Sequence, residues 1–410
     1  MHSLHLAEND PPRVLELFDH VGETLAASAV VTAYRLSADR WEVAPGTKVG
    51  VIRVGDTTVW IRPKLSVHRI LFLLGYAKNP GWSTEDVPLD EVDDLLPALA
   101  GAFVDQSERA VETGLLQGYV EVDDTLTVLR GRLRDQEQLR RRFGVAVPLL
   151  VRFDDHTTDI AENRLLRSAT DRLLRLPGVD NKTRTRLRGL RQVLGDITPI
   201  QRGARLPSWS PTRLNARYHV ALWLAELILR DNAVDQIPGS ARVNGFLVDM
   251  AKVFEDFVTA AMTRELERVG GKCRAQDRHH LDTQDRVVMK PDLVWYLDGA
   301  PAAVLDAKYK AEKPAGFPDA DLYQMLAYCT ALDLPEGHLI YAKGNESETS
   351  HEVRNAGVTI RAHALDLSRP GVHLLGQVRE LSDRVVRSAP SSPLARGSVA
   401  AGGGSGVLSG

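Results

Sequence analysis

Hydrophobic and polar positions alternate with period two over Val49-Gly-Val-Ile-Arg-Val54 and Thr57-Thr-Val-Trp-Ile-Arg62, around Gly55-Asp56, which predicts a β-hairpin. Apolar residues at helical spacing follow: Ile70, Leu73, Leu74 and Ala77, and then a second set between Val92 and Leu115. The helical pattern returns from Asn163 to Leu176 and from Thr212 to Arg230. From Gly245 the expected order is a helix over Asp249–Val269, three strands, a helix over Asp319–Leu332, strands at His338–Ala342 and Val358–Leu367, and a helix over Val372–Arg387. That alternation describes a compact α/β domain of about 150 residues. The expected organisation is a mixed α/β N-terminal domain over 1–125, a helical, arginine-rich arm over 126–238, an α/β domain over 239–387 opened by Pro238-Gly239, and a tail over 388–410. The tail is rich in Ser, Gly, Ala and Pro and is expected to be disordered, because it lacks the bulky apolar groups that offset ordering entropy.

Length and composition narrow the class. At 410 residues, 43% hydrophobic and 26% charged, the chain is globular and longer than one ordinary domain, which excludes collagen-like and wholly disordered classes. No apolar run approaches the ~18 residues of a membrane span. Acidic and polar residues stand where a signal peptide carries its apolar stretch, so a cytoplasmic location is expected. Cys273 and Cys329 are the only cysteines, too few for a disulfide framework, so a metal has to be held mainly by oxygen or imidazole.

The 51 basic and 54 acidic residues leave a net charge of −3, so contact with DNA has to be local. Two arginine stretches, Arg130 to Arg134 running on to Arg140–Arg142, and Arg184, Arg186, Arg188 and Arg191, read as solvated faces or as a phosphate track or acidic partner surface. His156, among Asp154, Asp155 and Asp159, reads as part of a hydrogen-bonded loop entering the Asn163 helix rather than as a metal site.

The chemistry concentrates in Pro291-Asp292-Leu-Val-Trp-Tyr-Leu297, Asp298-Gly299-Ala300 and Pro301-Ala-Ala-Val-Leu305-Asp306-Ala307-Lys308, two strands flanking an Asp-Gly turn. Of only 11 lysines in the chain, Lys308, Lys310 and Lys313 fall within six positions. Alternation sets Ala303, Leu305 and Ala307 on one strand face and Asp306 with Lys308 on the other, which is expected to face away from the core. A three-residue loop, Asp298 to Ala300, pairs Leu297 with Pro301 and brings Asp292 opposite Asp306. A two- or four-residue loop puts Asp292 on the wrong face, so convergence of the two acids predicts an odd loop or a bulge. Juxtaposed carboxylates with no thiolate suit Mg²⁺ or Mn²⁺, and a lysine beside them suits phosphodiester hydrolysis.

With 33 aspartates and 11 lysines, an Asp-x-Lys triplet is expected about once by chance. The weight lies in the ordered set: Glu255 on a helix, Pro291-Asp292, Asp306-Ala307-Lys308, then Gln324 and Tyr328 one helical turn apart. This set resembles the PD-(D/E)xK nuclease superfamily, with the Gln-x-x-x-Tyr helix of its RecB-like members. More narrowly, Gly245 to Val258, the hairpin ending Ile61-Arg-Pro-Lys-Leu65, Leu129-Arg-Gly-Arg-Leu133, and Asp159 through Asn163-Arg-Leu-Leu166 resemble McrC, the nuclease subunit of McrBC modification-dependent restriction systems, over roughly residues 45–370. The resemblance implies a restriction-endonuclease-like α/β domain preceded by a mixed α+β partner-binding region. It also implies metal binding by Asp292, Asp306, the Ala307 carbonyl and Glu255, with Lys308 as catalytic lysine and Gln324 and Tyr328 as supporting residues. A hexameric AAA+ GTPase of McrB type, whose hydrolysis the chain stimulates, double-stranded DNA, and two copies for double-strand cleavage are the implied partners.

The chain has no Gly-x-x-x-x-Gly-Lys-Ser/Thr loop and is not itself expected to be the motor. The leading reading is therefore a Mg²⁺-dependent, motor-dependent DNA endonuclease subunit. The alternatives are a catalytically silent nuclease-fold activator of the motor and a non-enzymatic DNA-binding module using the arginine stretches.

Overall fold

The computed structural model describes residues 2–28, 30–78, 80, 94–141, 147–201, 203–230, 243–309, 319–342 and 349–390. Along the chain come β1 (His2–Ala7), β2 (Arg13–Glu16), α1 (Asp19–Ala27), β3 (Val31–Arg35), β4 (Arg40–Pro45), β5 (Lys48–Val54), β6 (Thr57–Arg62), α2 (Val67–Lys78) and α3 (Leu95–Val111). Next are β7 (Gly118–Leu126), β8 (Arg132–Leu133), α4 (Asp135–Arg141), β9 (Leu149–Thr157), α5 (Ala161–Arg175), α6 (Asn181–Val193), α7 (His219–Arg230) and β10 (Val243–Asp249). The rest is α8 (Met250–Val269), β11 (Lys272–Ala275), β12 (His279–His280), β13 (Val288–Met289), β14 (Leu293–Leu297), β15 (Ala300–Lys308), α9 (Asp319–Leu332), β16 (Glu336–Ala342), β17 (Thr349–Val353), β18 (Val358–Leu365) and α10 (Gly371–Ser388).

Two compact units result, one of residues 1–45, 49–63 and 87–248, the other of 46–48, 64–86 and 249–410. The expected boundary at Pro238-Gly239 and tail residues 391–410 lie outside the described residues. The expected division had α2 in residues 1–125, whereas the observed one places it with the C-terminal unit. There its Phe72 and Tyr76 rings lie 6.0 and 5.5 Å from Phe257 of α8. An aromatic cluster of that size outweighs proximity along the chain.

In the first unit the expected hairpin is β5–β6, joined through Gly55-Asp56 with Val54 paired to Thr57. Alternation buries Ile52, Val54, Val59 and Ile61 together with Leu6, Leu25 and Val43. The sheet order is β1-β6-β5-β10, so the edge strand beside β5 comes from nearly 200 residues further along the chain. Glycine is required there: a Cβ on Gly50, at φ 131°, would lie 2.1 Å from the Phe246 carbonyl oxygen. A separate three-stranded sheet has the order β2-β4-β3.

The arm corrects one expectation. Leu149–Thr157 is strand β9, paired antiparallel to β7, rather than a loop, and the His156 ring lies 4.9 Å from that of its partner Tyr119. Cross-strand pairing supplied by β7 overrides the polar, loop-like composition of Asp154 to Thr157. The arginines are largely tied internally. Arg130 bonds Asp155 at 2.7 Å and stacks over Phe153, and Arg134 meets Asp123 at 3.3 Å. Arg186 pairs with Asp105 and Glu108, Arg191 with Asp171, and Arg184 donates to the carbonyls of Leu174, Leu176 and Val179 at the end of α5. The Asp159-to-Asn163 motif is structural in the same sense. Asp159 accepts from both Arg164 nitrogens and from Thr198, and Asn163 donates to the carbonyls of Leu116 and Thr158. The Thr212 helix begins late, at His219, because Thr212 and Asn215 bond each other's backbone N–H and compete with the helix.

The second unit holds a mixed six-stranded sheet of order β11-β14-β15-β16-β18-β17. The central pairs β15–β16 and β16–β18 are parallel, while β11, β14 and β17 run antiparallel to their neighbours. The helices match the expected spans within one or two residues, and Asp249 caps α8 through its carboxylate and the Ala251 N–H. Helix α9 covers the face carrying Val304, burying Met325, Tyr328 and Cys329 against Val294, Val304 and Leu339.

Candidate active site

The strand pair β14–β15 carries the acids. Its turn is Asp298-Gly299, two residues rather than three, with Leu297 paired to Ala300. That turn alone would set Asp292 opposite Leu305. The register shifts by one between Tyr296, paired with Pro301, and Trp295, paired with Ala303, so Ala302 is a bulge and Leu293 meets Leu305. Continued one step, Asp292 stands opposite Asp306, as the site requires.

Asp292 is held by its neighbours. Its Oδ2 accepts from the Ala307 backbone N–H at 2.8 Å and its Oδ1 from Gln276 Nε2 at 2.7 Å. The Ala307 N–H therefore points toward the β14 side, and so does its carbonyl. Pro291, which has no N–H, lies beyond the last paired position of β14 and β15, Leu293 with Leu305.

Asp306 is not outward-facing. It is 2% exposed, because α9 covers the face expected to point to solvent. Burial, then the Asp292 charge, pushes its carboxyl pKa up to about 6 against the pull of Lys308. Lys308 forms an ion pair with Asp306 and keeps 19% exposure. Burial disfavours its charge, but the charges of Asp306, Asp292 and Asp321 prevail and leave its pKa above the ordinary lysine value. Lys310 and Lys313 lie outside the described residues.

Glu255 on α8 reaches the same site through Gln276, whose Nε2 also donates to Glu255 Oε1 at 3.0 Å. Burial and then the Asp292 charge raise its pKa. Gln324 Nε2 donates to the Tyr328 hydroxyl at 2.7 Å, and that hydroxyl donates to the Lys290 carbonyl at 3.4 Å. Tyr328 is thus both a core residue and a brace for the strand entering Pro291. Its phenol is pushed up to about 12 by burial and then by Asp306. Beside Gln324 and Tyr328 opens a cavity of about 490 Å³, walled by Leu281, Val287, Met289 and Lys290.

Among the described residues no group of three or more His, Cys, Asp or Glu side chains is placed to hold a metal ion. A Mg²⁺ ion does not need one, since it keeps several waters and takes one or two carboxylates. The donor set of Asp292, Asp306 and a backbone carbonyl is wholly hard oxygen. The Asp292 charge opposes that of Asp306, and the Lys308 ammonium offsets part of it. The residues therefore fit a hard divalent ion.

Two further residues stand near the site outside the motifs, Gln276 and Asp321, the latter buried and accepting from the Tyr341 hydroxyl at 3.1 Å. Asp321 shares the motif helix but stands one turn before Gln324, and no local pattern marks Gln276.

A family model described as McrBC 5-methylcytosine restriction system component matches residues 43–342. The chain belongs to this McrBC family. The resemblance to McrC drawn from the residues is borne out by this match. Among solved structures, a chain of the Thermococcus gammatolerans half-complex of McrB AAA+ hexamers with bound McrC is 18% identical at a TM-score of 0.58, covering 94% of this chain and 100% of that one. A chain of the Thermococcus gammatolerans McrBC complex is 20% identical at a TM-score of 0.40, covering 64% and 88%. At 18% identity the likeness to the first of these is one of fold. No curated protein matches the chain. No helix among the described residues is long and apolar enough to cross a membrane.

Proposed function

We propose that the chain is the McrC-type, metal-dependent DNA endonuclease component of a methylcytosine-directed restriction system. Its second unit acts as a PD-(D/E)xK domain. The convergence of Asp292 and Asp306 with Lys308 at the C-terminal end of β15 carries this reading, because that donor set serves phosphodiester hydrolysis. Asp292, Asp306 and the Ala307 carbonyl would hold Mg²⁺, with Mn²⁺ as substitute, and Glu255 would complete the set. The bound cation supplies Lewis acidity toward the scissile phosphate.

The remaining chemistry belongs to the chain. The Lys308 ammonium, fixed by Asp306, positions the attacking water and offsets charge developing on the phosphoryl oxygens. The water oxygen forms the new bond to phosphorus and gives up its proton to solvent as the bond to the leaving deoxyribose oxygen breaks, and that oxygen takes up a proton from solvent. Tyr328 and Gln324 brace the strand that presents Asp292.

Absence of a phosphate-binding loop assigns the motor role to a partner, a hexameric AAA+ GTPase of McrB type whose hydrolysis the chain stimulates. The near-neutral charge fits that dependence, since a nuclease gripping DNA alone shows a stronger basic footprint. Two copies supply the two cuts of a duplex. The test is cleavage of methylated and unmodified duplex DNA with Mg²⁺, with and without the AAA+ partner and GTP, comparing wild type with Lys308→Ala. The expected loss is about 10²–10³-fold, typical of removing one electrostatic contributor. Wild-type cutting by the variant refutes the site. If neither protein cuts yet both stimulate the partner's GTPase, the chain is a silent activator.

A further inference from the structure

Gln276 lies at the exposed rim of the site and belongs to none of the motifs. It follows β11 with a backbone φ of 51°, in the left-handed region that costs an ordinary side chain about 1 kcal/mol or more. Two ties hold that turn. The Gln276 N–H donates to the Asp292 carbonyl at 3.1 Å, and the adjacent Asp277 carboxylate accepts from the Tyr296 hydroxyl at 2.6 Å. The backbone is therefore pinned to β14 on both sides of the turn.

The consequence is a bridge between elements. Gln276 Nε2 donates to Asp292 Oδ1 at 2.7 Å and to Glu255 Oε1 at 3.0 Å. A side-chain amide nitrogen carries two hydrogens, one for each acceptor. Two carboxylates would repel the amide oxygen, which settles the amide's orientation. Two carboxylates sharing one donor nitrogen are close enough to repel each other. A neutral donor between them lowers that repulsion without filling a coordination site permanently.

We propose that Gln276 is a positioning residue for the divalent cation, holding the helix acid Glu255 and the strand acid Asp292 at a set separation before the ion arrives. The inference rests on the metal-dependent reading above. Groups that orient ligating carboxylates typically contribute 10–100-fold in metal affinity.

The experiment is titration of the full chain with Mn²⁺ alone, without DNA, read by calorimetry and by electron paramagnetic resonance. Wild type, Asp292→Asn, Gln276→Ala and Gln276→Asn are compared, with melting temperatures measured in EDTA. Asparagine tolerates the left-handed turn but is too short to span both acids, so it separates the turn from the bridge. Gln276→Ala and Gln276→Asn are both expected to bind Mn²⁺ about 10-fold more weakly, with the EDTA melting temperature near that of wild type. Should the alanine variant fail to fold, the asparagine variant carries the comparison. Unchanged or tighter binding by either variant overturns the proposal. A wild-type protein that binds no Mn²⁺, or an Asp292→Asn protein that binds it equally well, overturns the metal reading itself.

Discussion

Asp292 stands opposite Asp306 because β15 holds one residue more than β14 between the turn and the site. The extra residue is Ala302. Deleting Ala302 is expected to slide Asp292 opposite Leu305, onto the other face, and to weaken Mn²⁺ binding at least about 100-fold, by the loss of one carboxylate and its support. Calorimetric titration checks this, and wild-type affinity in the deletion would show that the bulge does not set the site.

The same turn depends on Gly299, at φ 83° beside Asp298 at φ 49°, the positive pair that a two-residue hairpin demands. Gly299→Val is expected to cost about 1–2 kcal/mol, read as a lowered midpoint in urea unfolding. Metal affinity measured well below the transition should stay near wild type, because the register is set by the bulge.

Lys308 compensates a buried charge. With its pKa raised from 3.8 to about 6, Asp306 favours folding fully below 3.8 and loses that contribution as pH rises through 6. Lys308→Met removes the attraction that limits this loss. It is expected to destabilise the protein by about 2 kcal/mol at pH 8, below the 3–5 range of fully buried pairs because Lys308 is 19% exposed. The deficit should shrink at pH 5, and adding Asp306→Asn should recover most of it at pH 8. Denaturant melts at the two pH values decide the matter.

His338 and His363, on the neighbouring strands β16 and β18, lie with Nδ1 and Nε2 3.1 Å apart, both buried. Burial holds both at about 3, against the ordinary 6.5, with the charge of Arg361 adding to it for His338 and the neighbouring His338 for His363. Between those values the unfolded chain binds protons that the native state refuses. Stability is therefore complete above pH 6.5 and falls as pH drops toward 3. His338→Leu is expected to flatten that fall by about one proton, near 1.4 kcal/mol per pH unit, in urea melts between pH 6 and 4.

Gly50→Ala tests the first unit separately. Its Cβ would press on the Phe246 carbonyl of β10, and overpacking of this kind costs about 1–3 kcal/mol. Hydrogen exchange should show β5 and β10 loosened while the β14–β15 amides keep their protection.

Much of the second unit is legible from neighbours along the chain. The periodicity from Asp249 to Arg387 marks α8, α9 and α10, the Asp298-Gly299 pair marks the turn, and Asp306-x-Lys308 marks a shared strand face. The short strand β17 was missed, since Thr349 to Val353 is mostly polar and owes its pairing to β18. The hairpin at Val49 is legible for the same local reason, but its partner β10 is not.

By itself the sequence determined the element types, the ordered acids and lysine, and the family that those residues resemble. Such features depend on residues a few positions apart, where side-chain periodicity and turn chemistry act. Only the tertiary structure decided that a bulge at Ala302 aligns Asp292 with Asp306, that α9 buries Asp306, that α2 joins the second unit, and that Gln276 bridges Glu255 and Asp292. Each of these depends on contacts between distant segments, and in a sheet a slip of one residue reverses every side chain's face.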